Sequence, residues 1–239
     1  MAPAASPSTS AEPDPRWAPL RLNGAALRAH LSGALWWPER ATLVLSDLHL
    51  EKGSSYARRG LLLPPYDSRA TLERMAALVA ELAPERVVCL GDSFHDREAA
   101  ARLDAEDGAA LARMAAGCDW LWVVGNHDPA PPTGWGGRVV EELALGPLVF
   151  RHEARAGAVG EVSGHYHPKA ALVLRGRRIS ARCFAHDSRR LVMPAFGAYA
   201  GGLDVRDPAL SGLFSGPVTL HLLGQARLAT FPNLALGRR

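Results

Sequence analysis

The sequence predicts an α/β chain folded as a four-layer α/β/β/α sandwich, two mixed sheets flanked by helices, and three observations predict it. The first half alternates short apolar runs with stretches of helical period. The second half loses that period and becomes a series of short β-rich runs separated by Gly or Pro. In both halves Asp, His or Asn follows the end of a run, so two sheets sharing one rim would bring these side chains together.

Each element has its own warrant. Thr42 to Ser46 is an apolar strand that ends at Asp47 and His49. Asp67 or Ser68 can cap a helix in which Leu72, Met75, Leu78, Val79 and Leu82 recur at about 3.6 residues, ending near Pro84. Arg86 to Leu90 is the next strand and delivers Asp92; a second helical stretch from about Arg97 to Ala116 leads into Trp120 to Val124, which delivers Asn126. Strand, helix, strand, helix, strand predicts parallel pairing with helical crossovers. Arg138 to Glu142, Leu148 to Arg151, Val159 to Ser163, Ala171 to Arg175, Arg178 to Cys183 and Arg190 to Met193 follow as short strands, expected to form antiparallel hairpins of a second sheet.

Composition narrows the class. A chain of 239 residues, 48% apolar, is large enough to bury a core without staples. Its three cysteines, Cys89, Cys118 and Cys183, are widely spaced with no CxxC pair, which argues against a disulfide framework or a thiolate metal site and makes a reducing cytoplasm the expected location. Residues 1–16, rich in Ala, Pro and Ser, read as a disordered leader with neither the basic nor the apolar region of an export signal. No stretch approaches the about 20 apolar residues of a membrane span. No linker, repeat or composition break follows, so residues 17–239 read as a single domain. The net charge is +3, and Lys52 and Lys169 are the only lysines among 27 cations. Together with the heavy alanine usage this fits a GC-rich coding preference better than a dedicated nucleic-acid surface, although it does not repel a polyanion.

The chemistry rests on five motifs in order: Asp47-Leu48-His49, Gly91-Asp92, Gly125-Asn126-His127-Asp128, His152, and Gly164-His165-Tyr166-His167. Asp47 and His49, two apart at a strand end, can face one point. Asp92 has lone pairs enough to bridge two cations at the ~3.5 to 4 Å spacing of dinuclear sites. Asn126 offers a neutral oxygen where another carboxylate would over-neutralise a metal pair. Taken singly these motifs are weak, because Asp and His before turns are common and Gly-Asn-His-Asp can cap a helix. Their order at successive strand ends is not a structural requirement. His152 is recommended only by its place before the Gly164-His167 motif, and His30, His186 and His221, which match no motif, read as surface or core-edge residues.

The ordered set resembles the calcineurin-like metallophosphoesterase superfamily and, more narrowly, the ligase-associated DNA damage response endonuclease family PdeM. The narrower resemblance rests on Ser46-Asp47-Leu48-His49-Leu50-Glu51-Lys52-Gly53, Leu63-Pro64-Pro65-Tyr66-Asp67, Gly91-Asp92-Ser93-Phe94-His95-Asp96, and Pro194-Ala195-Phe196-Gly197-Ala198-Tyr199 followed by Gly201-Gly202-Leu203. It spans about Leu20 to Leu203. It implies one divalent metal on Asp47, His49, Asp92 and His167 and a second on Asp92, Asn126, His152 and His165. Manganese is the expected metal, with iron, zinc and nickel also compatible with oxygen and imidazole donors. A hydroxide generated on the metals would attack phosphorus in line, His127 would serve the departing oxygen, and Asp128 would orient His127.

The resemblance also implies a DNA phosphodiesterase, a single-strand endonuclease of repair with a functional link to a DNA ligase and a helicase. Lys52, Tyr56, Arg58 and Arg59 are the candidate substrate contacts, placing cations and an aromatic beside the metals for phosphate contact and base stacking; the alternative is a solvated loop whose arginines pair with nearby acids. The competing functions are a small-substrate phosphomonoesterase or cyclic phosphodiesterase, and a scaffold of the same fold without catalysis. Scaffold members usually lose ligands, and this chain keeps them. A lipid-precursor pyrophosphatase would carry Gly-Asn-Arg-Asp where this chain has Gly125-Asn126-His127-Asp128, and the GDxVDRG signature of protein phosphatases is absent.

Overall fold

The computed structural model of the protein describes residues 14–64, 66–131, 134–174 and 176–236. Most of the expected leader, residues 1–13, and Pro65 of the Leu63–Asp67 motif lie outside the described residues. Two mixed sheets carry the fold. The first has seven strands in spatial order β1 (Trp17–Leu22), β2 (Ala25–His30), β3 (Leu35–Trp37), β4 (Thr42–Leu45), β5 (Arg86–Leu90), β6 (Asp119–Val123) and β7 (Arg138–Val140). Strands β1 to β4 pair antiparallel, and β4 to β7 pair parallel, with helices in the crossovers from β4 to β5 and from β5 to β6.

The second sheet holds β8 (Glu142–Leu145), β9 (Leu148–Arg151), β10 (Glu161–Ser163), β11 (Lys169–Leu174), β12 (Arg177–His186), β13 (Arg190–Val192), β14 (Val218–Leu223) and β15 (Leu228–Leu234). Its order is β15-β14-β12-β13-β10-β9-β8, with β11 paired to β12 off this path. Hairpins alone do not build it: β9, β10 and β13 run parallel, and that places the ends of β9 and β10 on one rim, where His152 and His165 follow. The expected strand Arg138 to Glu142 is two strands, because the chain leaves the first sheet after Val140 and enters the second at Glu142.

Helices α1 (Lys52–Ala57), α2 (Asp67–Leu82), α3 (Ala99–Arg102), α4 (Ala105–Ala116) and α5 (Pro208–Ser211) complete the fold. The helical stretch expected from about Arg97 is broken into α3 and α4. Asp104 turns extended and caps α4, its side chain accepting from the Glu106 amide at 2.9 Å, so the chain restarts a helix there.

Alternation along the central strands explains the layering. Val44, Val88, Leu90, Leu121 and Val123 face the second sheet and meet Phe150, Val162, Phe184 and Leu191. Their neighbours Leu43, Leu45, Val87, Cys89, Trp120 and Trp122 face outward and pack under Leu72, Met75 and Leu78 of α2 and Leu111 and Met114 of α4. Strands buried on both faces read as continuous apolar runs, which is how β4, β5 and β6 look in the sequence. A third apolar layer, with Cys183, Val192, Leu220 and Leu222, lies on the far side of the second sheet under Val205 and Leu210, so the fourth layer is thin and its helix is the single turn α5.

Candidate metal centre

The first two ligand-bearing turns are stitched to one another. The amide of His49 donates to the carbonyl of Asp92 at 2.9 Å, that of Leu50 to Ser93 at 2.9 Å, and that of His95 to Leu50 at 2.9 Å. Asp47, His49, Asp92, His165 and His167 all have positive φ, between 44° and 68°. Side-chain-bearing residues avoid this left-handed region at a cost of about 1–2 kcal/mol each, and such strain gathers at functional sites. It has a geometric use: it swings side chains out of the strand direction towards one point. Gly91, at φ 75°, brings its backbone so close to His152 that a Cβ there would collide with the imidazole.

The expected ligands fall into two groups of donors, besides a third of His49, His95 and His127. Asp47, His49 and His167 form one; Asp92, His152 and His165 form the other. In the first, His167 Nε2 stands 3.2 Å from Asp47 Oδ1 and 3.4 Å from His49 Nε2. In the second, His152 Nε2 stands 3.4 Å from Asp92 Oδ2 and 3.2 Å from His165 Nδ1. His152 Nδ1 lies 3.2 Å from the carbonyl of Leu90, which can only accept, so the proton sits there and Nε2 faces inward. His152 Nδ1 also lies 3.7 Å from Asp47 Oδ1, so the groups adjoin. Asn126 is exposed and lines a cleft of about 370 Å³ beside His152, together with Glu153 and Arg155.

These residues fit a pair of cations. Imidazole nitrogens aimed at one another beside buried carboxylates repel unless a proton or a cation stands between them. Burial opposes charge on His152, but the hydrogen bond to Asp92 and the charges of Asp47 and Asp92 outweigh it and hold its pKa up at about 9. Burial likewise pushes Asp92 up, and the facing His152 more than reverses this, leaving the carboxyl well below its usual range. His49, pushed down by burial to about 3, keeps a neutral ring with a lone pair to offer.

The site departs from expectation in two places. Asp128 does not orient His127: its Oδ2 accepts from the amides of Ser93 and Phe94 at 2.9 and 3.1 Å, bracing the turn that carries Asp92. The Asp128 side chain is buried under that turn, whereas His127 points outward, and its Nδ1 meets the carbonyl of His95 at 2.8 Å. Arg58 pairs with Glu98, which is the solvated-loop reading for that residue, while Arg59 is exposed with no ion pair among the described residues. Asp92 falls within the second donor group, its Oδ1 accepting from the His127 amide at 2.8 Å and its Oδ2 facing His152.

Two of the expected substrate contacts reach towards His95. Lys52 and Tyr56 lie on α1, the ammonium 5.8 Å from the phenol ring, and that ring stands 5.8 Å from His95. His95 is the residue the motif reading passed over, although it stands in Gly91–Asp96. Its ring stacks on His127 at 5.2 Å, meets His49 at 5.5 Å, and presents a nitrogen within 4.8 Å of theirs. Phe196 is a support for the Asp47 turn: it is fully buried, its amide donates to the carbonyl of Ser46 at 2.7 Å, and that of Gly197 to Asp47 at 3.1 Å. Arg74 and Arg182 hold this segment through the carbonyls of Phe196 and Ala195, each at 2.7 Å. The unassigned histidines are inward: His30 packs on Trp17, and His186 and His221 pair through Nε2 atoms 3.1 Å apart.

The model of the calcineurin-like phosphoesterase family matches residues 41–183, the stretch that carries every ligand described. The chain belongs to that family. Its members hydrolyse phosphoesters with two divalent metals. Among solved structures the chain is similar to a Pseudomonas putida nuclease, MPE, at 30% identity with a TM-score of 0.70, over 89% of this chain and 100% of that one. The phosphoesterase Yfce from E. coli also matches, at 15% identity and a TM-score of 0.41 over 81% and 99% of the two chains. No curated protein matches. Among the described residues no helix is long and apolar enough to cross a membrane.

Proposed function

We propose that this calcineurin-like phosphoesterase is a manganese-dependent DNA phosphodiesterase, a single-strand endonuclease of the PdeM type. The observation that carries the reading is the 30% identity spanning the whole of the P. putida nuclease MPE, combined with two adjoining donor groups free of thiolate. Asp47, His49 and His167 would hold one ion, His152, His165 and Asn126 the other, with Asp92 shared. When bound, such a pair activates water and neutralises the phosphate it attacks.

The chain's own residues supply the rest. His127, with its Nδ1–H donated to the His95 carbonyl, holds Nε2 4.0 Å from Asp92 Oδ2, where the imidazolium form would give its Nε2 proton to the departing oxygen. Lys52, Tyr56 and Arg59 flank the site on the α1 side, where a strand's phosphates and bases would lie. A cytoplasmic location and a functional link to a DNA ligase and a helicase belong to the same proposal.

The test compares closed circular single-stranded DNA with p-nitrophenyl phosphate across several divalent ions. A nuclease of this kind nicks the circle, which has no end to degrade, and does so best with manganese. Monoester hydrolysis with an intact circle would replace it with the small-substrate reading.

A further inference from the structure

Large exposed apolar side chains are few among the described residues, and three of them fall within residues 61–66. Leu61 is 57% exposed, Leu62 88% and Tyr66 69%; the others, Val139, Val159 and Ile179, are single positions on separate strands or loops. Contiguous apolar surface on a water-facing protein marks a binding surface more often than scattered residues do. The anchorage of this one says where it acts. The amides of Arg59 and Leu61 donate to the carbonyl of Tyr56 at 2.9 and 3.0 Å, tying the patch to the end of α1. On the other side, Asp67, next to Tyr66, accepts from the amide of Gly53 at 2.9 Å. Helix α1 in turn carries Tyr56 against His95, and His95 against His127 and His49.

Cations border the patch. Arg58, Arg59 and Arg97 line a neighbouring cleft of about 450 Å³ with Asp96 and Glu98. Arg58 is paired with Glu98, whereas Arg59 and Arg97 are exposed and without ion pairs among the described residues. Apolar tips beside unpaired guanidinium groups complement a polymer that alternates flat apolar rings with phosphates. Leucines can wedge between unstacked bases, and a tyrosine ring can stack on one.

We propose that Leu61, Leu62 and Tyr66 form a base-engaging wedge that holds unstacked nucleobases of the DNA strand whose phosphate lies at the metal centre. The inference rests on the nuclease reading and adds a structural basis for single-strand preference: paired bases would not be free to meet the wedge.

The test uses manganese-loaded full-length protein and two phosphorothioate-linked oligonucleotides of equal length, one bearing bases and one with abasic residues throughout. The native protein is expected to prefer the base-bearing strand about tenfold or more, the scale of stacked-base contacts. In the L61S/L62S/Y66S variant, whose changes are all at exposed positions, that preference should vanish while binding to the abasic strand stays as it was. Equal preference in native protein and variant, with circular DNA still nicked, overturns the wedge alone. Native protein that neither binds these strands nor nicks the circle removes the nuclease reading and the wedge together. A native dimer that the substitutions convert to monomer, with base preference intact, assigns the patch to a second copy of the chain and overturns the proposal.

Discussion

Nδ1 of His127 lies 2.8 Å from the backbone carbonyl oxygen of His95. The carbonyl only accepts, so it fixes the tautomer and leaves Nε2 as the face turned to substrate. Replacing His127 with Asn should keep both metals, measured by elemental analysis, and slow substrates with poor leaving groups far more than nitrophenyl esters. Equal slowing across leaving groups would remove His127 from proton transfer.

Asp128 braces two amides instead of His127, and burial raises its pKa to about 7. Asp128→Asn preserves an acceptor oxygen and should retain metal binding and most activity. Asp128→Ala strands two buried N–H groups at about 1–3 kcal/mol each, so it should lower Tm and weaken metal binding. An Asn variant as damaged in leaving-group dependence as His127→Asn would restore the orienting role.

Asp92 takes one backbone amide on Oδ1 and faces His152 with Oδ2. If Oδ2 is shared between ions, Asp92→Ala should lose more than one ligand's worth of affinity and hold fewer than two ions per chain. Two ions found by elemental analysis in that variant would refute the sharing.

Chelation should destabilise the protein, because ions bound only in the folded state offset the strain of five left-handed ligand residues. At a hundredfold excess over Kd each ion contributes about 2.7 kcal/mol. With about 2–4 °C per kcal/mol for a chain of this size, removing one such ion should lower Tm by about 5–10 °C in a calorimetric scan. An unchanged Tm would mean that the cradle does not bind the ion offered.

Without a cation, His152 holds its proton up to about pH 9, chiefly because the Asp92 and Asp47 carboxylates overcome the effect of burial. Its raised pKa means that the proton is bound at pH 7.5, and metal must displace it. Affinity should therefore rise with pH until about 9, and calorimetric titrations at pH 7.5 in buffers of differing ionisation enthalpy should report release of about one proton. A pH-independent affinity over this window would place His152 outside the coordination set.

The ligand residues and the parallel core strands were legible because both follow local rules: both-face burial makes β4, β5 and β6 unbroken apolar runs, and Asp47, Asp92 and Asn126 follow directly. The first hairpin follows the same kind of local rule, since Asn23-Gly24, with φ of 45° and 87°, sits between the alternating residues of β1 and β2. The break between β7 and β8 was not legible, because nothing local at Glu141 marks a change of sheet.

By itself, then, the sequence determined which side chains are available for chemistry and which runs are strands or helices, because periodicity and strand-end placement are carried by neighbours along the chain. Only the tertiary structure decided that Asp128 serves the Asp92 turn, that His95 joins His127, and that Phe196 props the Asp47 turn. Those partners are 32 to 150 residues apart, and such pairings exist only once the two sheets have packed and the left-handed turns have set each side chain's direction.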